Sequence, residues 1–401
     1  MTNAIKPFRA TYYDSSKVGD LSNVVCPPYD VITKEQLLRL RKKSPYNYSN
    51  INLAKKDDYK RVAATFNHWV KKGIFVEDDK DNLYLYGQQF KIDGKYCWRY
   101  GVLSLLRINR KGAIFPHEHT HSKAKIDRMK MTEAVKANLS PIFVIAPKAI
   151  RALRKACGIY SKKKPFLKFI DDEGNKNHVW KIEDKKLIAE ISSQLDRSKM
   201  IIADGHHRFE VSQQYFKDNK KRFKDINYCL AYIADAQPGL VILPIHRIVK
   251  LKTTKEQVLK ALSEHFSISV ISQKMLEKCL KSKGKFAFGL CMDKKYYFLK
   301  LKNEAVLDKM FKSSPYRKLD TYVLKNFVFQ LFDAENKLEY ANNLNQVKSM
   351  ATKGKVAFIM RPAELGAVCR IANKGHRLPQ KSTYFYPKVG SGVVVRRFVK
   401  T

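Results

Sequence analysis

The run Ala203-Asp204-Gly205-His206-His207-Arg208-Phe209-Glu210 concentrates side chains that handle charge and protons. An apolar stretch over 200–203 breaks at Asp204-Gly205, where glycine permits a tight turn, and an amphipathic helix carrying Phe209, Tyr215 and Phe216 follows. Such a turn aims free backbone N–H groups and the positive end of a helix at one place, which favours an anion. Arg208 can hold phosphate oxygens through two N–H groups at once, and His206 and His207 exchange protons near neutral pH. Asp204 can orient a histidine or hold a Mg²⁺ ion. The plainer alternative is an Asp cap followed by surface histidines.

A second cluster is Ile114-Phe115-Pro116-His117-Glu118-His119-Thr120-His121. On an extended strand His117, His119 and His121 would share one face, a nitrogen set that zinc accepts, while a histidine-rich solvent loop fits the same letters. The spacing is not that of a helical H-E-x-x-H metalloprotease. Glu118 has a separate use, because a carboxylate beside His117 can serve as a general base. Arg128 follows Asp127 and offers either a phosphate contact or an ordinary salt bridge. His246-Arg247 repeats the His-Arg pairing, here at a strand end. Lys381-Ser382-Thr383 has the lysine and hydroxyls of a P-loop, but Gln380 stands where that loop needs glycine. They remain phosphate ligands supplied by a distant segment, or residues of a structural strand. Early in the chain Pro27-Pro28 fixes a turn that can hold out Tyr29 and Asp30. Neither a G-x-S-x-G hydrolase elbow nor a G-x-G-x-x-G dinucleotide loop is present.

These residues need elements to position them. Thr33-Lys34-Glu35-Gln36 reads as a capping box opening a helix through Leu37, Leu38 and Leu40. A helix over 58–72 carries an apolar stripe of Val62, Phe66, Trp69 and Val70, with Gly73 at its C-terminal cap. Residues 82–106 form a β-hairpin turning at Asp93-Gly94. Irregular, histidine-rich chain follows to about residue 140, then a strand over 141–145. Residues 150–198 mix basic helix signals with a turn at Asp171-Asp172-Glu173-Gly174. Strands over 228–234 and 240–249 flank Pro238-Gly239, and shorter helix and strand segments continue beyond 250. The expectation is an α+β protein of mixed sheets and helices, divided into an N-terminal helical and turn segment 1–80, a catalytic core 81–250 and a C-terminal α+β domain 251–401 that contributes Lys381-Ser382-Thr383.

The 401 residues are 44% hydrophobic, enough for two or three packed cores, so a disordered chain is excluded. With 78 Lys+Arg against 37 Asp+Glu the net charge is +41. That surplus attracts polyanions, yet lysine far outnumbers arginine and is scattered, so a general lysine bias explains it better than a nucleic-acid partner does. Seven dispersed cysteines without C-x-x-C spacing favour neither a disulfide framework nor a zinc ribbon. The N-terminus lacks a signal pattern, and no apolar run approaches the ~18 residues of a membrane helix, so a cytoplasmic protein without a membrane partner is expected.

Eight motifs occur in order: Pro27-Pro28-Tyr29-Asp30-Val31-Ile32, Ser44-Pro45-Tyr46-Asn47, Pro116-His117-Glu118-x-Thr120, Asp127-Arg128, Asn138-Leu139-Ser140-Pro141-Ile142-Phe143, Asp204-Gly205-His206-His207-Arg208, Pro244-Ile245-His246-Arg247, and Pro379 through Lys388. Together they resemble the bacterial and archaeal "domain of unknown function 1015" family over nearly the whole chain. The Asp-Gly-His-His-Arg turn also resembles the signature of the ParB/sulfiredoxin-like superfamily, which includes the free-serine kinases. That resemblance implies a ParB/sulfiredoxin-like core with a C-terminal α/β subdomain, and a nucleotide, ATP or ADP, bound at this turn with Mg²⁺. It implies Glu118 as base in the His117-Glu118 segment, with Asp204 to Arg208 on phosphates and metal. Serine or phosphoserine is the implied substrate. The resulting expectation is a phosphoryl-transfer enzyme for a small hydroxyl acid or its phosphate ester. Glu118, His117, His206 and His207 are catalytic, and Asp204 holds metal. Gly205, Arg208, Arg128, His246, Arg247, Lys381, Ser382 and Thr383 bind phosphate or nucleotide, and Tyr29, Asp30 and Asn138 bind substrate. The alternatives are a nucleotide- or nucleic-acid-binding protein without turnover, and a zinc hydrolase built on His117, His119 and His121.

Overall fold

A computed structural model describes residues 3–120, 122–282, 284, 286–311, 314–333, 337–352, 354–379 and 381–401. The chain is a mixed α+β protein that divides into two compact units. The first comprises Met1–Pro116, Thr120–Val241 and Pro387–Thr401, and the second His117–His119 and Ile242–Tyr386.

In the first unit the Asp93-Gly94 hairpin forms as its residues dictate. Both turn positions take positive φ, 48° and 82°, the geometry that matches the right-handed twist of the flanking strands Leu83–Ile92 and Lys95–Arg107. Around this pair runs a large mixed sheet in the order Ile114–Pro116, Met200–Asp204, Ile142–Ala146, Tyr228–Asp235, Lys95–Arg107, Leu83–Ile92, Lys176–Ile182, Leu167–Ile170, with Ile5–Lys6 added alongside Lys95–Arg107. Tyr228–Asp235 lies parallel to Ile142–Ala146 and antiparallel to Lys95–Arg107, and all eight of its residues are buried. Helices Arg151–Tyr160 and Lys185–Asp196 bury Leu153, Ala156, Leu187, Ile191 and Leu195 in the same core as Leu85, Val102, Val144 and Ile202. Helix Tyr59–Lys71 starts where expected, capped by Asp58, and buries Val62, Phe66 and Trp69, with Gly73 at φ 65° after its end. Thr33 likewise caps Lys34–Lys43.

The stretch read as irregular up to residue 140 contains instead a helix, Ser122–Val135. Its buried positions are Arg128, Met131 and Val135, spaced three and four apart, and the arginine among them hides the apolar period. The strand expected over 240–249 is two strands, Val241–Leu243 and His246–Lys250, because Pro244 has no N–H to give a ladder.

The second unit holds a six-stranded sheet in the order Phe266–Ile271, Lys295–Leu301, Ala287–Met292, Lys355–Ile359, His246–Lys250, Glu339–Ala341. Its pairings are antiparallel throughout, an α+β arrangement and not the alternating α/β one that the resemblance implied for a C-terminal subdomain. The period-two pattern sorts its residues into two cores. Phe288, Leu290 and Phe358 join Val258, Leu262 and Phe327, while Cys291, Ala357 and Ile359 join Leu276, Leu280 and Val347.

Candidate functional site

In the first unit the strand Met200–Asp204 delivers Asp204 to a turn at Gly205, whose φ of 87° and ψ of 29° are left-handed, and helix His206–Asn219 begins there. A Cβ at Gly205 would stand 2.9 Å from the Arg208 guanidinium, so the turn needs glycine both for its dihedrals and for space. One helical turn on, Arg208 Nη2 donates to Asp204 Oδ2 at 2.8 Å, and Lys388 Nζ donates to Oδ1. Burial by itself would raise the Asp204 carboxyl, but Lys388 and Arg208, with His206 adding to them, hold it well below the ordinary carboxylate range. Lys388 is fixed by its backbone. Its carbonyl accepts from Gln88 Nε2 at 3.1 Å, and the Pro387 carbonyl accepts from Arg99 Nη2 at 2.6 Å. Arg99 is wholly buried, with its guanidinium 4.5 Å from the Phe143 ring centre.

Beside this brace lies a cavity of about 40 Å³ lined by Tyr29, Arg128, Asn138, Ser212 and Arg208, among others, large enough for a few waters or a small tetrahedral anion. Arg208 Nη1 donates to the Pro141 carbonyl, while its buried Nε has no hydrogen-bond partner among the described residues. Arg128 donates to Asp127 Oδ2 at 2.7 Å and to the Asn52 carbonyl at 3.0 Å, and stacks on the Tyr29 ring at 4.1 Å. Burial pushes the Tyr29 hydroxyl up to about 12, so it stays a neutral donor. Asn138 Oδ1 accepts from the Leu230 N–H at 3.1 Å, which leaves its amide NH₂ as the polar end available to a ligand. His206 is buried and His207 half-buried at the start of the helix, whereas Asp30 is exposed and does not line the cavity.

The second unit gathers a different set. His117 is fully buried, and its Nε2 lies 2.8 Å from Thr383 Oγ1. The Thr383 hydroxyl donates to Glu118 Oε1 at 3.2 Å and therefore accepts from the His117 Nε2–H. A bridge between Glu118 and Leu378 holds this segment, with the Leu378 N–H donating to the His117 carbonyl at 2.6 Å. Ser382 Oγ donates to the Pro379 carbonyl and stands 3.3 Å from Thr321 Oγ1. Arg247 is buried and spends its N–H groups on the carbonyls of Ile245 and Lys381, at 2.8 and 3.1 Å. Burial lowers its guanidinium to about 10, with Tyr340 and Glu118 working against that shift. Arg247 thus shapes the backbone at Lys381, which takes a positive φ of 56° and leaves its side chain exposed. Burial lowers His246 to about 4, and its Nδ1 accepts from the Met360 N–H, so it is a neutral structural group near pH 7 rather than a phosphate-binding cation.

The strand expected to align three histidines ends at Pro116. His117 is buried and His119 exposed, and His121 lies outside the described residues. Among the described residues no group of three or more His, Cys, Asp or Glu side chains is placed to hold a metal ion. Asp204 does not fit the Mg²⁺ role either, since each carboxylate oxygen already faces a cationic N–H; its surroundings suit an anion. Sequence reasoning passed over Lys388 and Arg99 as site residues. Lys388 closes the aromatic run Tyr384-Phe385-Tyr386-Pro387, which was the available signal, and Arg99 is a charge hidden inside the strand Lys95–Arg107.

The family model described as "Protein of unknown function (DUF1015)" matches residues 5–322. No curated protein matches the chain. Among solved structures, C-terminally truncated SbnI from Staphylococcus aureus is similar at 10% identity, over 72% of this chain and 84% of that one, with a TM-score of 0.38. A free serine kinase variant in complex with ADP is similar at 15% identity, over 71% and 87%, with a TM-score of 0.35. A conserved hypothetical protein from Pyrococcus furiosus is similar at 16% identity, over 75% and 94%, with a TM-score of 0.33. These are distant likenesses. No described helix is long and apolar enough to cross a membrane.

Proposed function

We propose that this chain, which belongs to the DUF1015 family of proteins of unknown function, is a phosphoryl-transfer enzyme acting on a small hydroxyl acid or its phosphate ester, with a nucleotide as the other partner. The observation that carries this reading is the cationic cavity of the first unit. Arg208 and Arg128 line it, Lys388 stands on the far oxygen of Asp204, and the buried Arg208 Nε has no hydrogen-bond partner among the described residues. A buried guanidinium with an unused N–H beside a small polar cavity is an anion receptor. Phosphoryl transfer asks little of a protein beyond positioning and neutralising phosphate, which a rigid set of arginine and lysine supplies. A ParB/sulfiredoxin-like core around the Asp204–Arg208 turn belongs to the same reading, on the strength of that motif.

Glu118 is the base in this proposal, the role that its His117-Glu118 motif implies. When a substrate alcohol attacks the terminal phosphorus of the nucleotide, its proton passes to Glu118 as the P–O bond to the nucleoside diphosphate breaks. Glu118 already accepts a hydrogen bond from an aliphatic hydroxyl, that of Thr383, which is the contact a substrate alcohol would make. The turn's resemblance to that of the free-serine kinases makes serine and phosphoserine the first substrates to try.

Phosphorus NMR of the protein with phosphoserine, Mg²⁺ and ADP, beside a control without ADP, tests the reading. New nucleoside triphosphate signal supports phosphotransfer. Inorganic phosphate in both tubes would make the protein a phosphatase at the same site. Unchanged spectra together with steeply salt-dependent DNA binding would replace the enzyme with a nucleic-acid-binding protein.

A further inference from the structure

The second unit carries another cationic site, apart from the Glu118 cluster. Two adjoining cavities of about 260 Å³ each flank helix Leu365–Asn373 and share Lys318, Leu319, Ala367 and Arg370 in their walls. Lys318 and Arg370 are exposed, so their charged heads stand at the junction of the two hollows. Lys281 and Arg361 line the first hollow, and Lys374 lines the second. Two carboxylates are present as well. Asp320 is committed to Arg361, accepting its Nε and Nη2 at 2.9 and 2.6 Å, and Glu364 is exposed at the rim. The Asp320 pair holds the Arg361 fork rigid while cancelling only its own charge, so the groove keeps a positive surplus spread along its length. The wall that the two hollows share between these cations is apolar, Leu319 and Ala367, and Arg317, paired with Asp308, lines the second hollow beside Lys374. A single orthophosphate would meet one end of such a row. An elongated anion would meet both.

We propose that this groove binds a small molecule bearing a chain of phosphates, with Lys318 and Arg370 gripping its middle and Arg361 and Lys374 its two ends. The assignment is independent of the phosphoryl-transfer reading, which uses neither these residues nor this cavity.

Calorimetric titration of the full chain with inorganic tripolyphosphate at physiological salt tests it. The Arg208→Gln variant is the starting protein, so that the cavity of the first unit does not contribute. One tripolyphosphate per chain is expected to bind, at least tenfold more tightly than orthophosphate. The double variant Lys318→Gln/Arg370→Gln in that background is expected to weaken it by tenfold or more, and Lys318→Glu/Arg370→Glu by more still. Both positions are solvent-facing, and near-UV circular dichroism verifies that the variants fold. Lys148→Glu, an exposed charge reversal in the first unit, is expected to leave binding unchanged. Equal weakening by Lys148→Glu would mean diffuse attraction to a basic protein and overturn the site. Undiminished binding in both double variants would do the same, as would displacement of the tripolyphosphate by a lower concentration of a single-stranded RNA oligonucleotide, which would make the groove a nucleic-acid surface.

Discussion

Glu118, Thr383 and His117 form a short relay in which one hydroxyl donates to the carboxylate and accepts from the imidazole. If Glu118 is the base, its charge matters for turnover and not for holding nucleotide. Glu118→Gln preserves the shape and is expected to lower turnover by about 10²-fold or more, with nucleotide affinity unchanged in an equilibrium titration. Equal loss of both would remove the role. His246 makes a prediction of a different kind. Its folded value of about 4 lies below the ordinary value near 6.5, so the unfolded chain takes up a proton through that window while the folded chain does not. Stability contributed by neutral His246 is therefore complete above pH ~6.5 and falls as pH drops toward 4, by up to about 3 kcal/mol. Denaturant unfolding at pH 7 and pH 5 is expected to show a smaller difference in His246→Gln, whose amide oxygen can still accept from the Met360 N–H. An identical pH dependence in both proteins would count against a buried neutral imidazole.

At the scale of elements, the junction between strand Met200–Asp204 and helix His206–Asn219 turns on a single residue. Gly205 sits at positive φ, and the space a Cβ would fill is occupied by the Arg208 guanidinium. Gly205→Ala must therefore strain the backbone and push Arg208 off Asp204. It is expected to cost about 1–2 kcal/mol by denaturant unfolding and to weaken phosphate binding at the same time. A loss of stability with phosphate binding intact would show that the turn supports the fold without shaping the receptor. The helix Ser122–Val135 makes a related point, because it exists to bring Arg128 under Tyr29 although its sequence lacks a clean apolar stripe.

For the molecule as a whole, the last fifteen residues complete the first unit. Val395 exchanges backbone hydrogen bonds with Thr11, Ser391 with Cys26, and Arg396 pairs with Asn138. The Arg396 side chain is buried and donates to the carbonyls of Tyr228 and Asp225, and Phe398 packs on Tyr215 and Phe223. Deleting residues 387–401 removes Lys388 along with all of these. Hydrogen exchange is expected to show strands Tyr228–Asp235 and Met200–Asp204 losing protection, while the six-stranded sheet of the second unit, which has cores of its own, keeps it. Unchanged protection in the first unit would contradict the role given to this tail.

The sequence by itself determined the elements whose causes are local. Asp93-Gly94 turns a hairpin, Thr33 and Asp58 cap helices, and Gly205 breaks strand into helix, because each acts on backbone only a few residues away. The order of the motifs was enough to place the chain in its family. Only the tertiary structure decided which charges meet. Lys388 reaches Asp204 across 184 residues, and Thr383 reaches His117 across 266, separations over which spacing carries no geometric meaning. It also decided what those charges are worth. His246-Arg247 looked like a phosphate ligand in one dimension, but burial made the histidine neutral and turned the arginine to backbone carbonyls. Desolvation and long-range pairing depend on the whole packed chain, whereas turn and capping chemistry depend on the residue next door.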